Sequence, residues 1–232
     1  RWFEEFPKLA RWVMPDKRLD RELRRMQAKL ASFEADCMQA GLSLRQVYAA
    51  VLKWQALFLH PRGEFAWFFE HMRLACRRGS LLFVHAGLDD RAAKLIHKHG
   101  IRQLNRQFRE HVQEELFEFY YGPLANIIRT KYREIDMPLT AKGVRLMHKV
   151  GIHAIVHGHD NRHHGQRIML RKGMVNFECD ATVDRHTRAK EGLKGLGAAV
   201  TVFHPHQLVM GISTDYPYVK VFDPDSLLES AK

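Results

Sequence analysis

Apolar residues recur at helical spacing through the first quarter of the chain. Trp2, Phe3, Phe6, Leu9 and Trp12 form one such series, which Met14-Pro15 ends. A second helix is predicted from about Leu19 to Ala40, with Leu23, Met26, Leu30 and Phe33 on one face and Gly41 as its stop. Ser43 precedes a third helix reaching about Leu59, with Val47, Val51, Trp54 and Phe58 inward. A turn at His60-Pro61-Arg62-Gly63 leads to a helix from about Phe65 to Arg77. The pattern then changes. Leu81–Val84 and Ile152–Val156 are short apolar runs of strand type. Between them the pattern predicts helices over about Ala92–His99, Ile101–Tyr120 and Ala141–Val150. From Arg167 onward, hairpin-like strands are expected at Arg167–Leu170, Val175–Glu178, Ala198–Phe203 and Leu208–Ile212, with a loop-like tail from Thr214. Helices interleaved with buried strands, followed by an antiparallel run, predict an α/β class with mixed sheets.

Both of the earlier apolar runs end in His and Gly. Leu81–Val84 leads into His85-Ala86-Gly87, and Ile152–Val156 into His157-Gly158-His159-Asp160. Glycine beside a histidine lets the backbone turn sharply and lets a ligand come close. Ligands of open α/β sheets bind beyond the carboxyl ends of strands. Two imidazoles delivered at two such ends therefore point to a metal site. His157 lies two residues before His159, on the same side if strand alternation holds, and is a candidate to support the site or donate to phosphate. A basic cluster, Arg129-Thr130-Lys131-Tyr132-Arg133, falls between the two histidine segments. An arginine fork can bind two phosphate oxygens at once, so Arg129 and Arg133 are candidate phosphate ligands, with Lys131 behind them. Asn126 is a candidate polar contact. Asp90 is expected to cap a helix starting near Arg91, and Asp184–Lys194 reads as a basic loop.

VHAGL at Val84–Leu88 and HGHD at His157–Asp160 resemble the last two motifs of calcineurin-like metallophosphoesterases, nearest the phosphoprotein-phosphatase-like branch. Val175–Ala181 is similar to the strand and turn that follow in that branch, with Asp180 placed to orient a ligand histidine. The resemblance covers roughly Phe65 to Ile212. It implies an α/β/β/α sandwich with mixed sheets, here incomplete at its N-terminal side and carrying a helical cap or insertion over residues 1–60. It also implies hydrolysis of phosphate monoesters, of the protein Ser/Thr phosphatase type, with two divalent metal ions, the second of them held by His85 and His159. These would be Mn²⁺ first, or Fe, Zn or Ni. A symmetrical dinucleoside-tetraphosphatase activity and a non-catalytic binding role are the alternatives. The family's Asp-x-His, Gly-Asp-x-x-Asp-Arg-Gly and Gly-Asn-His-Glu motifs are not found. The chain is accordingly expected to be a C-terminal portion, with the catalytic histidine upstream.

Composition narrows the partners. The 232 residues are 46% hydrophobic, as for a globular chain rather than a disordered one. No apolar run approaches the ~20 residues that span a bilayer. Three widely spaced cysteines fit a reducing compartment, so a cytoplasmic location is expected. The net charge of +11 favours anionic partners, here a phosphoprotein, a nucleotide or a small phosphate ester. The aromatics fall mostly at inward helical positions rather than among clustered Lys and Arg, which argues against nucleic acid.

Overall fold

The computed structural model describes residues 2–10, 16–114, 116–134, 136–205 and 208–223. It divides into two compact units, Arg1–Met72 and Arg73–Lys232.

The first unit is helical: α1 (Trp2–Ala10), α2 (Asp16–Gln39), α3 (Leu44–Phe58) and α4 (Ala66–His71). The expected end of the first helix, Met14-Pro15, lies outside the described residues. Ser43 starts α3 with a reciprocal cap. Its hydroxyl accepts from the Gln46 backbone N–H at 3.3 Å, and the Gln46 side chain accepts from the Ser43 N–H at 2.8 Å. The inward face predicted for α3 is not buried. Val51 and Trp54 remain exposed, as do Leu30 and Phe33 on α2. The neighbour of α3 is the short α4, which reaches it through aromatic edges: Phe58 and Phe65 have ring centroids 5.1 Å apart, Trp54 and Phe69 6.0 Å. A six-residue helix is too short to cover the stripe of a fifteen-residue one.

The helix expected to run to Arg77 stops at His71, and Ala75–Arg78 forms strand β1 instead. It turns at Gly79 and pairs antiparallel with β2 (Leu81–Val84). Backbone pairing overrides helix propensity here. Next come α5 (Asp90–Glu114), which is broken at Gly100, then α6 (Leu116–Tyr121), α7 (Pro123–Arg129) and α8 (Ala141–Lys149). Strands β3 (Ala154–His157), β4 (Arg167–Arg171) and β5 (Met174–Glu178) complete a five-stranded sheet in the order β1-β2-β3-β5-β4. β2, β3 and β5 are parallel; β1 and β4 run antiparallel at the edges. The buried pattern of β3, with all four residues inside, is that of a central parallel strand.

After α9 (Arg185–Lys190), which occupies part of the expected basic loop, β6 (Ala199–Phe203), β7 (Val209–Ser213) and β8 (Tyr216–Phe222) form a second, antiparallel sheet. Within the tail expected from Thr214, Tyr216–Phe222 is thus a strand, and residues 224–232 lie outside the described residues. One face of this sheet meets the first through Phe203 and Phe222, which pack edge-on against Phe177, while Phe203 also meets Phe83. Ala92, Ile96 and Leu104 of α5 and Val144 and Met147 of α8 are buried in the same unit. The α/β class with a mixed sheet is as predicted. The four-layer sandwich is not: Val200, Ile212 and Val221, from the second sheet, stay exposed, and this unit has a helix layer and two sheets. Among the described residues, no helix is long and apolar enough to cross a membrane.

Candidate functional site

The site grows from the parallel pairing of β2 and β3. Leu81, Leu82 and Phe83 stand opposite Ala154, Ile155 and Val156, so the two strands end side by side. Their turns are joined directly by the Gly158 N–H, which donates to the His85 carbonyl at 2.9 Å. A second tie comes from α7, whose Ile127 carbonyl accepts from the Ala86 N–H at 2.9 Å. His159 sits in the left-handed region (φ +68°), and this reversal brings its ring to His85. His85 Nε2 and His159 Nδ1 are 3.1 Å apart, with ring centroids at 4.9 Å. Burial, then the neighbouring His85, holds the His159 imidazole below its ordinary pKa, so it is neutral near pH 7. Two bonds of about 2.0–2.1 Å to one ion, about 90–110° apart, would separate two nitrogens by roughly 3.0–3.4 Å. The two ring nitrogens share a hydrogen bond, and their separation also falls within the spacing of two nitrogen donors to a single divalent ion. The pair is not a complete set: among the described residues, no three His, Cys, Asp or Glu side chains converge on such a point.

His157 does not join this pair. The left-handed turn at His159 ends the strand alternation, and the His157 ring is buried edge-on to Tyr132, at 5.8 Å between centroids. Burial lowers its pKa, and its Nε2 has no hydrogen-bond partner. Asp180 borders the second turn. Its carboxylate accepts from the Thr182 N–H at 3.3 Å, and its carbonyl from the Arg162 N–H at 2.7 Å. Those bonds order the loop and do not reach an imidazole.

The basic cluster is split by the fold. The Arg129 backbone carbonyl lies against the His159 ring, and Lys131 is close enough to depress the charging of that ring. The Arg129 guanidinium turns instead to Asn126 Oδ1 at 3.1 Å and over the Tyr120 ring at 5.0 Å. Arg133 is held by Asp136, with Nη2–Oδ1 at 3.3 Å. Burial raises the Asp136 carboxyl, but the Arg133 backbone and side chain outweigh it and keep it ionised. Lys131 has no carboxylate partner among the described residues and is the cation best placed toward His159.

Asp89, not Asp90, takes the helix-capping role expected of Asp90. The buried Asp89 accepts from the Ala92 N–H at 2.7 Å and from Asn126 Nδ2 at 2.6 Å, which ties α5 to α7. Burial raises its pKa. Asp90 reaches the start of α8, accepting from the Thr140 N–H at 2.8 Å, the Gly143 N–H at 3.1 Å and the Thr140 hydroxyl at 2.6 Å.

A supporting network was not anticipated. The Leu88 N–H donates to the Tyr132 hydroxyl at 3.0 Å, and burial pushes that phenol up to about 12. The Arg171 guanidinium lies 4.4 Å from the Tyr132 ring centroid. Arg171 is fixed in turn by Glu178 at 2.6 Å, a side chain only 2% exposed that also binds Arg167 at 2.6 Å and Arg162 at 3.0 Å. The sequence signal was there: a carboxylate in the apolar strand run VNFECDA needs buried partners.

No family model and no curated protein matches the chain. Three solved structures of cold-active protein tyrosine phosphatases are similar to it. One, from a psychrophilic Shewanella, shows 14% identity at a TM-score of 0.46 over 78% of this chain and 53% of its own. A second, solved at 1.1 Å, shows 14% identity at 0.48 over 71% and 46%. The third, a single-residue variant of such an enzyme, shows 12% identity at 0.47 over 69% and 46%. The chain spans about half the length of these structures. The calcineurin-like membership expected from VHAGL and HGHD finds no support: no family model matches the chain. A structural likeness this distant assigns no chemistry to the chain.

Proposed function

We propose that this chain carries the ligand-facing part of a site that hydrolyses phosphate esters, with His85 and His159 as two nitrogen donors to a divalent cation such as Mn²⁺. The observation behind this reading is the 3.1 Å approach of the two ring nitrogens at the ends of adjacent parallel strands. A cation bound there would polarise a phosphoryl oxygen and acidify a water. The chain's own contribution is orientation and charge. Gly158 and Ile127 lock the two turns by backbone hydrogen bonds, the neutral His159 imidazole keeps its lone pair available, and Lys131 offsets charge on a phosphoryl group. The substrate class is a phosphate monoester.

The test is Mn²⁺ binding by titration calorimetry alongside hydrolysis of p-nitrophenyl phosphate. His159→Ala and His85→Ala should each abolish Mn²⁺ binding and any hydrolysis together. Unchanged Mn²⁺ binding in both variants would refute the donor assignment. A second reading, a phosphate-binding protein without turnover, is favoured by the two-donor count. Saturable orthophosphate binding with no hydrolysis at any Mn²⁺ concentration would select it.

A further inference from the structure

Along the outer edge of β1 lies a cavity of about 930 Å³, away from the paired histidines. His85 follows the carboxyl end of β2, whereas Arg78 pairs with Leu81 at the other end of that strand. Five arginines line the cavity: Arg73, Arg77 and Arg78 from β1 and its approach, and Arg102 and Arg109 from α5 beyond the break at Gly100. His99 adds a sixth basic group, and no Asp or Glu is among the lining residues. None of the five arginines has a carboxylate partner among the described residues. Arg77 is anchored on carbonyls instead, Gly79 at 2.7 Å, Val150 at 2.7 Å and Gly151 at 3.2 Å.

The wall is built, not incidental. Asn105, buried on α5, accepts from the Ala75 N–H at 3.0 Å and donates to the Ala75 carbonyl at 2.8 Å. This side chain stands in for a neighbouring strand and fixes α5 against β1. Arginines on an edge strand guard against edge-to-edge pairing, which would account for Arg77 and Arg78 on β1. It does not account for Arg102 and Arg109, which converge from a different element. Uncompensated guanidiniums repel one another, and an anion relieves that cost.

We propose that this cavity binds a small anion bearing several phosphate groups. Planar guanidiniums match phosphate oxygens in pairs, and several in one concavity suit several phosphates. The volume lies within the roughly 300–1,000 Å³ of small-molecule sites. No Phe, Tyr or Trp lines it, so it lacks the row of large rings on which successive bases of single-stranded nucleic acids stack. The inference is independent of the histidine pair, and its readout is binding, not hydrolysis.

The experiment is calorimetric titration of the whole chain with inorganic tripolyphosphate at low salt. The variants are Arg78→Gln with Arg102→Gln, and a control that removes two charges from α3, Arg45→Gln with Lys53→Gln. All four side chains are exposed, so melting temperatures should match. Expected is one saturable site, weakened at least about tenfold by the first pair, since each lost charged hydrogen bond is worth about that factor. The control pair should shift it less than about twofold. Equal weakening by both pairs would mean diffuse charge attraction and would overturn the site. So would binding that ignores Arg78 and Arg102, or a single-stranded RNA that displaces tripolyphosphate from them.

Discussion

Replacing Glu178 by Gln tests the network beneath the paired histidines. The carboxylate is 2% exposed and binds three guanidiniums, Arg167 and Arg171 at 2.6 Å and Arg162 at 3.0 Å. The charged hydrogen bonds from Arg167 and Arg171 contribute about 1.5–3 kcal/mol each, so the gross interaction is roughly 3–6 kcal/mol, with the Arg162 ion pair beside them. Two effects reduce the loss. Burying the carboxylate costs several kcal/mol that the amide escapes. The arginines are also 43%, 22% and 19% exposed and can regain water. A net destabilisation of about 2–4 kcal/mol follows, or about 5–15 °C in Tm for a chain of this size. The pH dependence carries the sign. Burial raises the Glu178 pKa, but the Arg167 and Arg171 hydrogen bonds outweigh it, and the folded pKa lies below the ordinary 4.5. Its stabilisation is therefore complete above pH 4.5 and fades as pH falls through the folded value. Urea denaturation at pH 7 and along a descending pH series, for native protein and E178Q, measures both. The gap should be widest at neutral pH and close in acid. A pH 7 difference under about 0.5 kcal/mol, or a gap that widens in acid, would refute the network.

Three further outcomes follow from the same contacts. Gly87→Ala would set a methyl group against the Tyr132 ring and hydroxyl at a backbone φ of +154° that L residues rarely adopt, so it should cost about 1–3 kcal/mol or more, and a double-mutant cycle with Tyr132→Ala should recover the steric part and leave the backbone part. Lys131→Ala should raise KM for a phosphate monoester several-fold and leave Mn²⁺ affinity unchanged; equal KM values would remove Lys131 from the site. Asp90→Ala strips the start of α8 of its acceptor and should cost about 0.5–2 kcal/mol, read as faster hydrogen exchange at Thr140 and Gly143.

The histidine pair was legible because its signal is local: a short apolar run, then His and Gly, twice. β1 was not, because Ala75-Cys76-Arg77-Arg78 has no β-branched residue and becomes a strand only through its partners, Leu81–Val84 and Asn105. β8 was missed for another reason. Tyr216–Phe222 is rich in strand formers, but Pro217 and the preceding Thr214-Asp215 turn read as a tail. The exposed face of α3 shows the reverse limit, since periodicity marks a stripe without supplying the surface that covers it. In the basic cluster, spacing alone does not show that Arg133 meets Asp136 three residues on, or that Arg129 folds back on Asn126.

Backbone strain concentrates where these contacts meet. Among the described residues, four non-glycine residues have positive φ: Tyr132, His159, Lys172 and Thr182. Lys172 belongs to the β4–β5 hairpin turn. The other three lie on the loops around the paired histidines, and such conformations cost about 1–3 kcal/mol each. Each is held by bonds that an extended backbone would break. Tyr132 is fixed by the Leu88 N–H and the Arg171 guanidinium, and Thr182 by Asp180 and by the Arg162 carbonyl at 3.2 Å. His159 follows Gly158, which is pinned to the His85 carbonyl. Glu178 stands behind two of these, since it fixes Arg171 above Tyr132 and Arg162 beside Thr182. A buried carboxylate on one strand thereby sustains the loop geometry that brings two imidazoles together at the ends of two others.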